Sequence, residues 1–275
     1  ARDVSFINSD VVGVALSGAI SDGGNSGTLS VGVSIASNDI DNQLTAYVDG
    51  STVTSTLGDI NVYVEEDATI TALSVAASIA LSASSEIGLS LSGGGAEAKN
   101  VILNKTNAYV KDSVLSSYGD IEINATNTSL IEANVWAVSV SVATGDPAGS
   151  AAIGASVAHN FIGYDSIGNV KPGGAQVQAY ILNSLVTANS GNLIETAISQ
   201  QTITAVVGAG SVALSGAEKG FAVSLSGAGV SAVNKVATEV RAFIDGTPDT
   251  HIVAGSILLT AHDISNITVV GGAGS

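Results

Sequence analysis

The side chains able to do acid–base, nucleophilic or metal chemistry are few, and their spacing does not suit it. The chain holds three histidines, His159, His251 and His262, and no cysteine. None of the histidines forms an H-x-x-x-H pair, and without thiolates a structural zinc site lacks its usual ligands. Serine is abundant, but no G-x-S-x-G turn stands between a strand and a helix. Neither Ser82 nor Ser224 has a neighbouring base to activate it. Glu65 and Glu66 are adjacent carboxylates, and adjacent residues on a strand point to opposite faces, so they do not share a substrate. Gly93-Gly94-Gly95 lacks the Lys and Ser/Thr of a phosphate loop and reads as a turn or bulge. The expectation is a protein that is not an enzyme and carries no cofactor.

Calcium is the one ion with candidate ligands. Asp39 and Asp41 lie close to Asp49, and Asp112 lies close to Asp120. Calcium takes about six to eight oxygens, often from carboxylates and loop carbonyls. No EF-hand loop and no Gly-Gly-x-Gly-x-Asp nonapeptide holds these residues, and an Asp at a turn ordinarily caps its own backbone. Asn104, Asn124, Asn127 and Asn266 begin glycosylation sequons, which a chain this rich in Asn, Ser and Thr also produces by chance.

Composition narrows the partners. Asp and Glu number 24 against 8 Lys and Arg, a net charge of −16. Such a chain is repelled by phosphate backbones and by anionic membrane surfaces, so neither nucleic acid nor membrane insertion is expected. The longest uncharged stretches, Ala133–Thr144 and Ala197–Ala217, are studded with Ser, Thr, Gln and Gly, unlike a membrane span. No leader peptide opens the chain at Ala1, as in a mature form or an excised segment. Apolar residues make up 45% but aromatics only 4%, so the core must be built from Val, Ile, Leu and Ala.

The elements that position these residues are repeats. Ala46-Tyr47-Val48, Ala108-Tyr109-Val110, Ala179-Tyr180-Ile181 and Ala242-Phe243-Ile244 recur at spacings of 62, 71 and 63 residues. Each is followed by a Gly-polar-aliphatic turn at Gly58, Gly119, Gly191 or Gly255, and preceded by an asparagine, Asn38, Asn100, Asn160 or Asn234. In the third copy the asparagine lies farther ahead, with an insertion around 164–174. The hexapeptide Val14–Ala19 recurs at Val212–Ala217, and Ser265–Ser275 matches Gln201–Ser211 at seven of eleven positions. The units run 1–66, 67–126, 127–198 and 199–263, with a partial fifth over 264–275. Within them Leu73–Ala83, Trp136–Val142 and Phe221–Ser226 alternate aliphatic with small residues, the period-two signature of strands with one buried face. The expected fold is all-β: an elongated repeat array, either a β-solenoid or a stack of small β units. Trp136, in phase with Val138 and Val140, reads as core.

The Ala-Tyr-Val anchor, the Gly-Asp-Ile turn and the Ala-, Ser- and Gly-rich strands resemble the repeat regions of giant bacterial extracellular proteins, the adhesin-like and filamentous-haemagglutinin-like arrays. The resemblance spans nearly the whole chain. It implies an extracellular or cell-surface location, an elongated shape and a structural or adhesive role. The leading expectation is a fibre, stalk or matrix filament whose partner is itself, as a homopolymer or the continuation of a longer array. The tail, with Ile264, Ile267, Val269 and Val270, is the candidate for self-association by strand addition. The alternative is a module binding glycan or a host surface. Tyr47, Tyr109, Tyr180 and Phe243, one per unit, favour a structural stack over a binding ladder.

Overall fold

Period-two alternation commits these segments to extended backbone, and no helical period competes with it. The computed structural model describes residues 1–247 and 250–275, and among these 79% lie in strands and none in a helix. The chain winds as a coil. The first tier comprises β1 (Arg2–Ser21), β2 (Ser26–Ile40), β3 (Gln43–Asp49) and β4 (Thr52–Ser55). The second comprises β5 (Ile60–Ser84), β6 (Gly88–Ile102), β7 (Lys105–Lys111) and β8 (Val114–Ser117). The third comprises β9 (Ile121–Thr144), β10 (Ala148–Ile162), β11 (Gln176–Leu182) and β12 (Leu185–Ala188). The fourth comprises β13 (Leu193–Gly216), β14 (Ala222–Val236), β15 (Glu239–Asp245) and β16 (His251–Val253), and β17 (Ile257–Gly274) opens a fifth.

Each strand pairs in parallel with its equivalents in the adjacent tiers. The result is a five-stranded long sheet, β1-β5-β9-β13-β17, and three four-stranded sheets built on β2, β3 and β4. The pairing is what a repeated sequence demands, because each unit meets the same packing problem as its neighbour. Tyr47, Tyr109, Tyr180 and Phe243 align in one row. The chain is therefore a continuous solenoid and not a stack of closed sandwiches. The third-tier insertion loops out between β10 and β11, held by a bridge between Tyr164 and Val170, and leaves the register intact. The tail match is in register, with Gln201 opposite Ser265. The two copies of the hexapeptide are not: Leu16 aligns through Ile79 and Val140 with Val212, a slip of two residues. A slip of two keeps every side chain on its own face, so the strand tolerates it.

In cross-section each tier has two parts. The first half of the long strand, with the third and fourth strands of the tier, encloses a three-sided core that includes Val64, Val110, Leu115, Ile123 and Ile181. Next along the long sheet, Ile70, Ile131 and Ile203 meet Ile102 and Ile162. These isoleucines are fully buried, each contributing about 1.5–3 kcal/mol by transfer from water. Beyond them the second strand folds back over the far half of the long strand, and the two sheets form a thin blade. Its interior holds Ala72, Ala76, Ala98 and Ala137. Serines bridge the two sheets there: Ser34 and Ser74 lie 2.7 Å apart, Ser78 and Ser92 2.7 Å, and Ser141 Oγ donates to Ser90 Oγ at 2.9 Å.

The blade corrects the sequence reading of which face is inside. The alternation, with Trp136 in phase with Val138 and Val140, predicts that the aliphatic side of these strands is buried. Instead Ser74, Ala76, Ser78 and Ala80 are buried, while Ile79 and Leu81 face out. Trp136, read as core, is 45% exposed on the outer face. The reason is the closeness of the two sheets. A Cβ added to Gly32 would lie 2.3 Å from the Ala77 carbonyl oxygen. Large side chains hold packed sheets about 10 Å apart, whereas Gly, Ala and Ser let the backbones approach and pair their hydroxyls across the gap.

Candidate functional site

Stacked identical residues make ladders, and the ladders run to the coil ends. Asn38, Asn100, Asn160 and Asn234 occupy one inward-facing position in β2, β6, β10 and β14. Asn38 Nδ2 donates to Asn100 Oδ1 at 2.8 Å, Asn100 Nδ2 to Asn160 Oδ1 at 2.8 Å, and Asn160 Nδ2 to Asn234 Oδ1 at 2.7 Å. Every amide points the same way, so the ladder has a direction. It ends on Asn234 Nδ2, which is buried and has no partner.

The aromatic row is a second ladder. Ring centroids are 5.3 Å apart from Tyr47 to Tyr109, 4.9 Å from Tyr109 to Tyr180 and 5.0 Å from Tyr180 to Phe243, all stacked. Each inner ring has both faces covered by neighbours, and Tyr47, at the end of the row, is 60% exposed. The turn before each long strand is a third ladder. Asp59 Oδ1 accepts from the Asp120 amide at 2.8 Å, and Asp120 Oδ1 from the Asn192 amide at 2.7 Å.

The tail strand β17 pairs only with β13. Of the residues singled out for self-association, Ile267 continues the column of Ile7, Ile70, Ile131 and Ile203. Val269 continues the neighbouring inward row of Ala72, Ala133 and Ala205. Ile264 and Val270 lie on the opposite face of the strand, in the rows of Thr128 and Asn134.

The calcium candidates fall in separate places. Asp41 pairs with Lys171 of the insertion at 3.2 Å, and Asp39, nearby, has its carboxyl raised by burial and then by Asp41. Asp49 ends β3, and Asp112 follows β7 at φ 46° beside Lys111. Asp120 caps the next tier's backbone. Among the described residues, no group of three or more Asp, Glu or His gathers around one point. Ser82 is bonded to Ser26 and Ser224 to Ser150 across the blade and its ladders. Glu65 and Glu66 do lie on opposite faces: Glu65 accepts from Tyr63 Oη at 2.9 Å, and Glu66 is fully buried.

Two carboxylates are fully buried: Glu66, read from the sequence only as one of an adjacent pair, and Glu195, which escaped the sequence reading. Glu66 ends a hydrogen-bond chain that crosses three tiers. Gln201 Nε2 donates to Asn127 Oδ1 at 3.0 Å, Asn127 Nδ2 to Thr106 Oγ1 at 3.2 Å, and Thr106 Oγ1 to Glu66 Oε2. Burial pushes the Glu66 carboxyl up to about 7, against the opposing pull of its hydrogen bonds. Glu195 stands in a row with Val62, Ile123 and Leu259. It is 0% exposed, and neither carboxyl oxygen has a partner. Burial alone pushes it up to about 8, so it is a neutral acid at pH 7. The repeat carried the signal: the turn motifs continue as Ile60-Asn61-Val62, Ile121-Glu122-Ile123 and Ile257-Leu258-Leu259, but as Leu193-Ile194-Glu195 in the fourth.

No protein-family model, no curated protein and no solved structure matches the chain.

Proposed function

We propose that this chain is a structural protein: a segment of an extracellular fibre, stalk or matrix filament that lengthens by stacking coil on coil. The observation that carries the reading is the buried, unpartnered Asn234 Nδ2 at the end of a directional ladder. A buried donor without an acceptor costs about 1–3 kcal/mol, and one more tier with asparagine at that position removes the cost. The unpaired edges of β14, β15 and β16 at that end ask for the same neighbour. The resemblance to secreted adhesin-like arrays supports an extracellular setting. Glycan binding has less support, because the inner rings Tyr109 and Tyr180 spend both faces on their neighbours, which leaves only the end rings Tyr47 and Phe243 with a face that no other ring covers.

The long sheet carries one strand more than the other three. Copies joining end to end therefore meet flush only if β17 is absent or displaced. Electron microscopy and light scattering on the full chain and on a form ending at Gly255 test this. The shortened form is expected to make longer filaments of one-coil width. Discrete particles from both forms at every concentration would sink the end-joining reading, and filaments lost on shortening would assign the joint to β17 itself.

A further inference from the structure

We propose that the outer face of the blade's long sheet is where a second copy of this chain docks, sheet against sheet. This contact is lateral, so it does not depend on end-to-end stacking. The face is bounded by two rows of paired residues. The first is Val12, Val75, Trp136 and Gly208, and the last is Ile20, Ala83, Thr144 and Gly216. Between them the strands present Val14, Leu16, Ile79, Val138 and Val140 among others, and within these rows only Thr144 offers a polar side chain.

The size of the face matches what a stable pair needs. Four strands at about 4.8 Å and roughly nine residues at about 3.3 Å give about 600 Å² in projection. Two such faces in contact bury about 1,200 Å² or more, within the range of specific interfaces and large for an apolar patch left in water. The face is also flat. A Cβ on Gly208 would lie 2.3 Å from the Trp136 ring. The largest side chain thus lies down over the adjacent strand instead of projecting, as aligned sheet packing requires.

Charge selects the occupant. Each copy carries −16, and this face is free of charge, so two copies meet here without opposing carboxylates. An oppositely charged partner would find nothing on it to pair with. A bilayer is disfavoured because the rim of the blade carries Asp22, Glu86, Asp146 and Glu218, which edge-first entry would drag into hydrocarbon. A two-fold axis through the face makes the contact isologous and closed.

Trp136 is the one tryptophan of the chain and reports on this face directly. Over a concentration series of the full chain, sedimentation should show association while Trp136 emission shifts to the blue and becomes shielded from acrylamide. Val138→Asp, at a position 47% exposed, should raise the dissociation constant at least about tenfold with the strand circular dichroism unchanged. Ile153→Asp, on the opposite face of the blade, should leave association intact. If Val138→Asp does not fold, the wild-type emission and quenching series decides alone. A monomer at all concentrations overturns the proposal, as does association without change at Trp136, or equal loss in both variants. A blue shift seen only with phosphatidylcholine vesicles overturns it in favour of lipid.

Discussion

Raising the pH from 5 to 9 should cost this protein about 4 kcal/mol of stability through one side chain, Glu195. In the unfolded chain its carboxyl ionises near 4.5; in the fold, burial without a partner pushes it up to about 8. Between those values the folded state holds a proton that the unfolded state has released. Stability therefore falls as pH rises, by about 1.4 kcal/mol per unit, and levels off above 8 after a full loss of about 5 kcal/mol. Glu66, pushed up to about 7, adds about 2–3 kcal/mol over the same range and in the same direction. Against a typical total of about 5–15 kcal/mol, these losses decide whether the coil survives mild alkali. The assay is guanidinium unfolding at pH 5 and pH 9 on the wild type, Glu195→Gln and Glu195→Leu. Both variants should lose the Glu195 share of the pH slope. Glu195→Leu should also be more stable at pH 9, because Leu259 and Ile123 flank that position with aliphatic side chains. A carboxylic-acid infrared band at pH 6 should weaken in both. Equal wild-type stability at the two pH values, or an unchanged slope in both variants, would refute the reasoning.

Two further substitutions test the ladder and the blade. Asn100→Ala strands the Asn38 amide and the Asn160 carbonyl together, and is expected to cost about 2–4 kcal/mol. Asn234→Ala breaks a single bond and should cost at least about 1 kcal/mol less, and equal losses in denaturant midpoints would deny the ladder its cooperative role. Ala76→Leu, inside the blade, should destabilise by about 1–3 kcal/mol or more through overpacking. Ile79→Ser on the outer face should cost under about 1 kcal/mol in dilute solution; the reverse order in thermal unfolding would show that the aliphatic face is the buried one.

The repeat spacing of the Tyr and Asn anchors, the period-two strands and the Gly-Asp turns determined an all-β array with about four units, because identical residues one tier apart must solve the same packing problem. The ladders of Asn38 and Tyr47 were legible for the same reason. The sequence did not say which side of an alternating strand lies inside. Alternation distinguishes two faces but leaves the interlayer distance open, and that distance is set where the second strand folds back over the long one. There the glycine, alanine and serine face went in, and Trp136 with its aliphatic neighbours went out. Glu195 was visible in the repeat alignment as a departure from Val62 and Ile123. Only the tertiary structure showed it to be sealed without a hydrogen-bond partner, since burial depends on the strands that close around a residue and not on its place along the chain.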